Sequence, residues 1–442
     1  MTIEELRARL AAPTSRALAN AVSGAIRDGA LAEGDRLPPI RDVARQLHLA
    51  PTTVSAAWSL LVRAGAIRTN GRNGTTVAAA PTGPRRYRRA FDQSGHFAFD
   101  LSAGVADPAL VPDLRPALRR VGRSIAPGSY LDQPVLPELL DVLRASWPYP
   151  AERITVVDGA MDALAQIVAA YIRFGDPVAV ENPCFPPLLD LLESVGARTF
   201  AVAVDDDGPV VSDVAAAVRA GVVALFVQPR AQNPTGASLS AQRAADLAAL
   251  LAAGDVLVVE DDSAAGVSCT PPASLATART VHVRSFSKSH SPDLRLAAVG
   301  GPAALVNVLI ERRYLGQGWT SRLLQSLLLD LLTDPHAILQ VEAARQTYAR
   351  RRAQVTAVLR AHGVSVGGHD GLNIWVPVQD EMAALVRLAS HGIRAAAGEP
   401  FRAVPGPGAF IRVTTGVIDH DHAAVATELA QAALTGRQGT LR

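Results

Sequence analysis

Lys288 is the only lysine in the 442-residue chain, in which every other strongly basic residue is arginine. Arginine keeps its proton in proteins, so guanidinium groups can make salt bridges and phosphate contacts but cannot attack a carbonyl. A lysine amine can lose its proton and form an imine with an aldehyde. The alternative interpretation is a single surface lysine left by chance, and the residues around Lys288 decide between the two.

Polar and glycine residues follow several predicted strands. Gly159 follows a strand predicted over 154–157 and opens a helix at Ala160 and Met161, whose free backbone amides could bind a phosphate. Asn233, in the run Asn-Pro-Thr-Gly, follows a strand over 222–227. Because ligands sit at strand ends in such sheets, these residues are expected to meet.

The same pattern continues toward the lysine. Asp261 follows a strand predicted over 256–259, and Ser285 and Ser287 come directly before Lys288. Arg295 lies seven residues after the lysine. These side chains supply a carboxylate, two hydroxyls, an amine and a guanidinium within one short stretch of the chain.

Taken together, these motifs resemble the fold-type I, aminotransferase-like family that uses pyridoxal 5′-phosphate (PLP), over roughly residues 98–435. The resemblance implies that Lys288 forms the internal aldimine, that Asp261 pairs with the pyridinium nitrogen and that Asn233 binds the ring hydroxyl. It also implies the remaining cofactor and substrate contacts: the phosphate on Gly159, Ala160, Met161, Ser285, Ser287 and Arg295, the ring stacked on Phe185, a substrate carboxylate on Arg412, and a partner subunit's phosphate on Tyr130. Phe185 as plain core and Arg412 as a surface ion pair are the structural alternatives.

Two departures from that family concern proton transfer. Many relatives carry a tyrosine two or three residues after the pyridinium-pairing aspartate, but Asp261 is followed by Asp262, Ser263 and Ala264. The glycine expected after the Tyr130 motif is also replaced. Cofactor binding is expected to survive these changes, whereas efficient transamination is in doubt.

The pattern of apolar residues predicts the strands and helices that must position these site residues. Short β-branched runs separated by Ala/Leu-rich helical stretches predict a mostly parallel sheet with helices on both faces. The predicted strands are 154–157, 178–180, 222–227, 256–259, 281–283 and 297–299. A long helix is predicted over about 305–362, with a possible break at Asp334–Pro335. A smaller α/β subdomain, with strands at 372–376 and 410–413, is predicted to follow.

Residues 15–78 predict three helices and a hairpin. The helices are expected over 15–28, 40–47 and 51–64, the last with Val54, Trp58, Leu61 and Val62 facing inward, and residues 37–39 are expected to form a rigid turn. Two short strands around a Gly/Asn turn are expected within 67–77. The short connection between the second and third helices is typical of a helix-turn-helix, and the two strands would form its wing. The alternative is a small helical bundle with a hairpin and no DNA-binding role.

This segment resembles the GntR-type winged helix-turn-helix domain, through Gly-Asp-Arg-Leu-Pro-Pro-Ile-Arg at 34–41 and Gly-Arg-Asn-Gly-Thr at 71–75. Residues expected to contact DNA are Arg41, Arg68 and Arg72 at phosphates or the minor groove, and Thr52, Thr53 and Ser55 in the major groove. The alternative for Thr52 and Thr53 is that they only cap the amino terminus of the third helix and do not contact DNA.

Charge is distributed unevenly between the two parts. Residues 1–90 contain 14 arginines and 6 acidic residues, whereas the whole chain has a net charge of only +2. We therefore expect a basic amino-terminal domain that binds a polyanion, joined to a larger part of the chain that does not. The linker arginines at 85, 86, 88 and 89 either touch DNA or keep the linker solvated. Two cysteines and an amino terminus without an apolar signal core predict a cytoplasmic protein.

The two resemblances together are those of the MocR subfamily of bacterial transcription regulators. The predicted architecture is a multidomain chain with a winged helix-turn-helix domain at 1–78, a linker at 79–96 and an α/β fold-type I PLP domain at 97–435, whose small subdomain spans about 340–435. It implies a homodimer that binds operator DNA and senses an amine, an amino acid or PLP at Lys288, with no metal. An active aminotransferase, and a GntR-type repressor whose ligand response needs no cofactor chemistry, are the alternatives.

Overall fold

The computed structural model describes residues 3–27, 30–32, 34–63, 67–69, 74–77, 86, 97–124, 129, 132–252 and 254–435. The helices are α1 Ile3–Ala8, α2 Ser15–Arg27, α3 Ile40–Leu47, α4 Pro51–Arg63, α5 Leu114–Ser124, α6 Pro137–Ala145, α7 Ala160–Tyr171, α8 Pro186–Ser194, α9 Val211–Arg219, α10 Ala241–Leu251, α11 Ala303–Tyr314, α12 Arg322–Thr333, α13 Pro335–Ala361, α14 Glu381–Ser390 and α15 His422–Ala433. Among the described residues, none of these helices is long and apolar enough to cross a bilayer.

The strands form one large sheet and three small ones. They are β1 Arg36–Leu37, β2 Ile67–Thr69, β3 Thr75–Val77, β4 Phe99–Asp100, β5 Arg153–Val157, β6 Pro177–Asn182, β7 Arg198–Asp205, β8 Gly208–Pro209, β9 Ala224–Val227, β10 Leu257–Asp262, β11 Thr280–Ser285, β12 Ala297–Gly301, β13 Asn373–Val378, β14 Ile393–Arg394, β15 Ala396–Ala397 and β16 Ala409–Thr414.

Helices α2, α3 and α4 and the β2–β3 pair lie where the sequence predicts them, in a small domain at the amino terminus. Its core contains Leu18, Val22, Trp58 and Leu61. The inward orientation predicted for Val62 is wrong, because its side chain is 39% exposed. One residue further along a helix turns about 100°, which points this side chain away from the face that Leu61 buries.

A third strand in this domain was not predicted. The expected rigid turn at residues 37–39 begins instead as β1, which pairs antiparallel with β3 and gives the order β1–β3–β2. Two residues are too few to show an alternating pattern in the sequence. The left-handed conformation of His48 (φ 55°) ends α3 and turns the chain toward α4.

The large sheet has the order β5–β12–β11–β10–β9–β6–β7–β8. Strands β7, β6, β9, β10 and β11 run parallel, and β12, β5 and β8 pair antiparallel with their neighbours. All six predicted strands belong to this sheet. The sequence analysis missed β7 and β8 at one edge of the sheet, where β7 is only partly buried and β8 has only two residues.

The predicted long helix is three helices. Its break at Asp334–Pro335 is confirmed, but a second break between α11 and α12, at residues 315–321, was missed. The third of these helices, α13, leads to the small sheet, in which β13, β16 and β15 pair antiparallel. The far upstream strand β4 pairs with β14, so the chain around residue 100 also packs on this subdomain.

Candidate functional site

Most of the predicted cofactor residues line one cavity of about 520 Å³ between the large sheet and the small subdomain. A volume of this size suits a small organic ligand. The predicted residues that line it are Ala160, Met161, Phe185, Asn233, Asp261, Ser285, Ser287, Lys288, Arg295 and Arg412. They come from six separate parts of the chain, so the fold brings together side chains whose shared role the sequence could only suggest.

Lys288 lies on the wall of this cavity, just after β11 ends at Ser285. Protein surrounds its amine, and this burial lowers the pKa of the ammonium group, with Asp261 opposing the shift and Arg412 adding to it. A lower pKa leaves a larger fraction of neutral amine, which is the nucleophilic form. The interpretation of Lys288 as a chance surface residue is therefore wrong.

Asp261 lies within β10 rather than after it, which corrects the predicted strand end. Its carboxylate accepts hydrogen bonds from Gln228 Nε2 at 2.7 Å and from Ser263 Oγ at 2.5 Å. Burial raises the pKa of Asp261, and the two hydrogen bonds oppose that shift. Held in this way, the carboxylate suits a cationic ring nitrogen as its partner.

Alternation along β10 separates Asp261 from its acidic neighbours. Glu260 accepts a hydrogen bond from Ser274 and contacts His282 Nδ1 at 2.8 Å, and Asp262 pairs with Arg230. Successive side chains of a strand point to opposite faces, so these contacts lie behind the sheet. Only the middle carboxylate of the three faces the Lys288 cavity.

An anion cradle lies at the amino-terminal end of α7. Gly159 precedes the helix with φ 104°, a conformation that favours glycine. A Cβ built on Gly159 would lie 3.4 Å from Nη2 of Arg295, so the guanidinium covers the helix start closely. Free amides at a helix amino terminus, together with an arginine and the hydroxyls of Ser285 and Ser287, form a phosphate-binding arrangement.

Arg412 is fully buried in β16, which excludes the surface ion-pair interpretation. Its guanidinium donates to Asn233 Oδ1 at 3.3 Å and to the carbonyl of Ser102. Burial lowers the pKa of Arg412 to about 9, so it stays cationic at neutral pH. A fork of donors at the cavity wall is suited to a carboxylate.

Gly104 makes room for this arginine. Its φ is 66°, and a Cβ at this position would come within 2.4 Å of Arg412 Nη1. The amide of Gly104 donates to Thr414 Oγ1 at 2.9 Å, which ties the segment to β16. The sequence analysis missed both this glycine and Gln228, although Gln228 directly follows β9 and so carried the same signal as Asn233.

Phe185 and Asn233, both predicted to contact the cofactor ring, line the cavity. Phe185 precedes α8 and is half-buried on the cavity wall, so it is not plain core. Asn233 is buried, and its Oδ1 also accepts from Asn373 Nδ2 at 3.4 Å. Tyr130, predicted to reach a partner subunit's phosphate, lies outside the described residues.

The predicted DNA-contacting residues lie in the amino-terminal domain. Arg41 at the start of α3, Arg68 on β2, and Thr52 and Ser55 on α4 are exposed, and Thr53 is half-buried. The first amides of α4 bond to the carbonyl of Ala50, and no described hydrogen bond supports side-chain capping by either threonine. Arg72, in the predicted wing turn, and three of the linker arginines lie outside the described residues.

Two family models match the chain. The model for aminotransferase class I and II matches residues 98–429, and the model for bacterial regulatory proteins of the gntR family matches residues 14–77. The chain is similar in fold to the crystal structure of Pyrococcus horikoshii kynurenine aminotransferase, with a TM-score of 0.69 and 21% identity, covering 77% of this chain and 91% of that one.

Two curated regulators match nearly the full length. The vitamin B6 salvage pathway transcriptional repressor PtsJ of Salmonella typhimurium is 36% identical over 414 residues, covering 91% of this chain and 95% of the relative. The HTH-type transcriptional regulator TauR of Rhodobacter capsulatus is 29% identical, covering 86% and 88%. The chain belongs to the aminotransferase class I and II family and, with its gntR-type amino-terminal domain, to the MocR subfamily of transcription regulators.

Proposed function

We propose that this protein is a PLP-dependent, DNA-binding transcription regulator that senses an amine, an amino acid or PLP itself at Lys288. The observation that carries the proposal is one cavity in which Lys288, the Asp261 carboxylate and the Gly159–Arg295 cradle meet, in a chain that also carries a gntR-type domain. The relative PtsJ, a regulator of vitamin B6 salvage by its name, supports this assignment.

The cavity residues fit PLP group by group. The Gly159 helix start, Arg295, Ser285 and Ser287 would hold the phosphate, and Asp261 would keep the ring nitrogen protonated. Asn233 would donate to the ring hydroxyl, and Phe185 would stack on the ring. When bound, PLP supplies an aldehyde that condenses with amines and a ring that accepts electrons.

The chain's own residues would then select the effector. Lys288 would hold the cofactor through its neutral amine, and an effector amine would compete with that amine for the cofactor's aldehyde. Arg412 would bind a carboxylate on the effector, which favours an amino acid over a simple amine. Ligands that differ in their affinity for two poses of the large domain would shift the equilibrium between them and hence DNA affinity.

The amino-terminal domain would bind double-stranded operator DNA in the cytoplasm. We assign residues 1–78 to this domain, 79–96 to a linker and 97–435 to the PLP domain. The MocR subfamily further implies a head-to-tail homodimer, with Tyr130 of each subunit at the partner's site and two winged helices at two half-sites. Arg41, Arg68, Arg72, Thr52, Thr53 and Ser55 are the proposed DNA contacts.

An active aminotransferase is the second candidate function. The convergence of Asp261, Asn233, Lys288 and Arg412 in one cavity favours it. Against it, Ser263 stands near the position of the usual tyrosine, and its hydroxyl is engaged with Asp261 Oδ1. The cofactor's ring oxygen would therefore lack the tyrosine hydroxyl that usually forms a hydrogen bond with it in this family.

The deciding experiment is a visible absorption spectrum of the full-length protein with PLP, recorded during titration with amino acids and amines. A regulator is expected to show a cofactor band that an effector shifts reversibly, together with a change in DNA affinity. Conversion of PLP to its amine form with release of a keto acid would establish the aminotransferase instead.

The Lys288→Ala variant separates these functions from a cofactor-independent repressor. It should lose both the cofactor band and the effector-dependent change in DNA affinity, while it keeps basal DNA binding. An unaltered effector response in this variant would overturn the proposal, because sensing would then not require the amine. Arg279→Ala, which removes an arginine paired with Asp255 away from the cavity, is the matched control.

A further inference from the structure

A second cavity of about 600 Å³ lies behind strands β10 and β11, on the opposite face of the sheet from Lys288. Ser285 lines both cavities, so only the ends of these strands separate them. One wall is apolar and contains Leu143, Leu332, Leu339 and Val341. Nothing in the proposed function uses this cavity.

Three arginines line the other wall, and two of them are neutralised. Arg230 pairs with Asp262 through Nε at 3.0 Å and Nη2 at 2.5 Å. Arg345 pairs with Glu342, which also lines the cavity, at 2.6 Å. These two ion pairs contribute little net charge to the cavity.

The third arginine, Arg284, is different. It is 8% exposed, and its Nη atoms donate to the hydroxyl and the carbonyl of Ser146 at 2.9 and 2.6 Å. Its Nε has no hydrogen-bond partner, and no carboxylate of the described residues pairs with it. A buried cation that only neutral groups contact is unfavourable, and an anion beside it would be stabilised.

Asp262 lies opposite Arg284 in the β10–β11 register and attracts it, but this carboxylate is already shared between Arg230 and His282. Burial lowers the pKa of Arg284 to about 10, so the guanidinium is still cationic at neutral pH. His290 Nδ1 lies 2.8 Å from Ser289 Oγ, and burial lowers the pKa of this histidine to about 4, which leaves it neutral. The guanidinium of Arg284 also lies 4.8 Å from the centre of the Trp147 ring. Of the arginines that line this cavity, Arg284 is therefore the one that no carboxylate of the described residues contacts.

We propose that this second cavity binds a small organic monoanion, a carboxylate on an apolar body, with the carboxylate at Arg284 and the body against Leu143, Leu332 and Leu339. A single arginine without a contacting carboxylate favours a monoanion over a phosphate dianion. The volume exceeds that of a carboxylate alone and leaves room for the apolar part. This site does not depend on PLP or on the proposed regulatory function.

The test is isothermal titration calorimetry of the full-length, PLP-loaded protein with 2-naphthoate, with the neutral 2-naphthalenemethanol as the ligand control. We expect saturable binding of one naphthoate per chain and no comparable binding of the alcohol. Arg284→Gln should weaken naphthoate by about tenfold or more, because it removes the charged partner. Arg279→Gln, on the loop before β11, should leave the affinity unchanged.

A rim variant keeps the proposal testable if Arg284→Gln fails to fold. Leu339 is 66% exposed, so Leu339→Glu places a carboxylate at the mouth without disturbing the core and should weaken naphthoate several-fold. Leu323→Glu, at a residue 57% exposed outside the cavity, is its control. Absence of saturable binding, or unchanged affinity in the Arg284 and Leu339 variants, would overturn the proposal. So would loss of binding in Arg412→Gln alone, which would place the naphthoate in the Lys288 cavity.

Discussion

The Lys288 cavity and the winged-helix surface hold their polar residues in opposite ways. In the cavity, Asp261 and Arg412 are almost completely buried and are fixed by Gln228, Ser263, Asn233 and the chain around Gly104. On the winged helix, Arg41, Thr52, Ser55 and Arg68 are exposed. The cavity side chains are therefore held in place before any ligand binds, whereas the proposed DNA contacts would take their final positions on binding.

This difference has an energetic consequence. Substitutions in the cavity change the free energy of folding as well as ligand binding, because buried charges and close contacts depend on each other. Substitutions on the winged-helix surface are expected to leave folding nearly unchanged and to act through electrostatic contacts with DNA. Four sets of variants test this contrast, from the largest expected effect to the smallest.

Gly104→Ala and Gly34→Ala compare the two regions at glycines of similar conformation. Both have positive φ, 66° and 83°, but a Cβ at Gly104 would come within 2.4 Å of Arg412, whereas nothing lies within 4 Å at Gly34. Backbone strain alone should lower the unfolding free energy of Gly34→Ala by about 1 kcal/mol. At Gly104 the added Cβ also crowds Arg412, so Gly104→Ala should lower the unfolding free energy by about 3–4 kcal/mol. Urea unfolding followed by circular dichroism measures both, and equal losses would contradict the crowding seen at Arg412.

His290→Asn and His48→Asn compare a buried histidine with an exposed one. The pKa of His290 falls from 6.5 to about 4 on folding, so between these values the unfolded state binds more protons. Stability should therefore decrease as the pH falls from 6.5 to 4, by up to about 3 kcal/mol. His290→Asn should reduce this acid sensitivity, and His48→Asn, at an exposed left-handed position that asparagine tolerates, should not. Urea unfolding at pH 7 and pH 4.5 measures the change in unfolding free energy between the two pH values. An equal change in His290→Asn and in the native protein would show that His290 is not the source of the acid sensitivity.

Arg295→Gln tests the phosphate cradle with two forms of the ligand. Loss of the charged contact should weaken PLP by about 30-fold, whereas pyridoxal, which has no phosphate, should lose less than about threefold. Arg68→Gln, on the winged-helix strand β2, serves as the control for charge and should change neither affinity. Absorbance titration gives both values. Equal weakening of PLP and pyridoxal would mean that Arg295 supports the structure of the site and does not bind the phosphate.

Arg41→Ala and Arg68→Ala test the winged-helix surface. Each should weaken binding to a mixed-sequence duplex a few-fold and reduce the slope of log affinity against log salt by about 1. Arg115→Ala removes an exposed arginine of the large domain, paired with Asp113, and should do neither. Fluorescence anisotropy at several salt concentrations gives the slopes. A slope that the two winged-helix variants leave intact would place the DNA contact elsewhere.

The sequence predicted the parts of the fold that rest on local patterns. Apolar periodicity and turn residues located α2, α3, α4 and six strands of the large sheet, because burial on one or both faces leaves a regular signature. It failed at the two-residue strands β1 and β8, at the partly buried strand β7, at the break between α11 and α12, and at Val62.

The sequence by itself determined the chemistry available to this protein. Residue type and spacing indicated the single lysine, Asp261 in β10, the glycine that precedes α7 and the basic amino-terminal segment. Only the tertiary structure decided which groups meet: that Gln228 holds Asp261, that Gly104 admits Arg412, and that Arg284 donates to Ser146 behind the sheet with no carboxylate of the described residues in contact. The physical reason is that these contacts join residues far apart in the chain, where strand alternation and packing, not local sequence, set the distance between side chains.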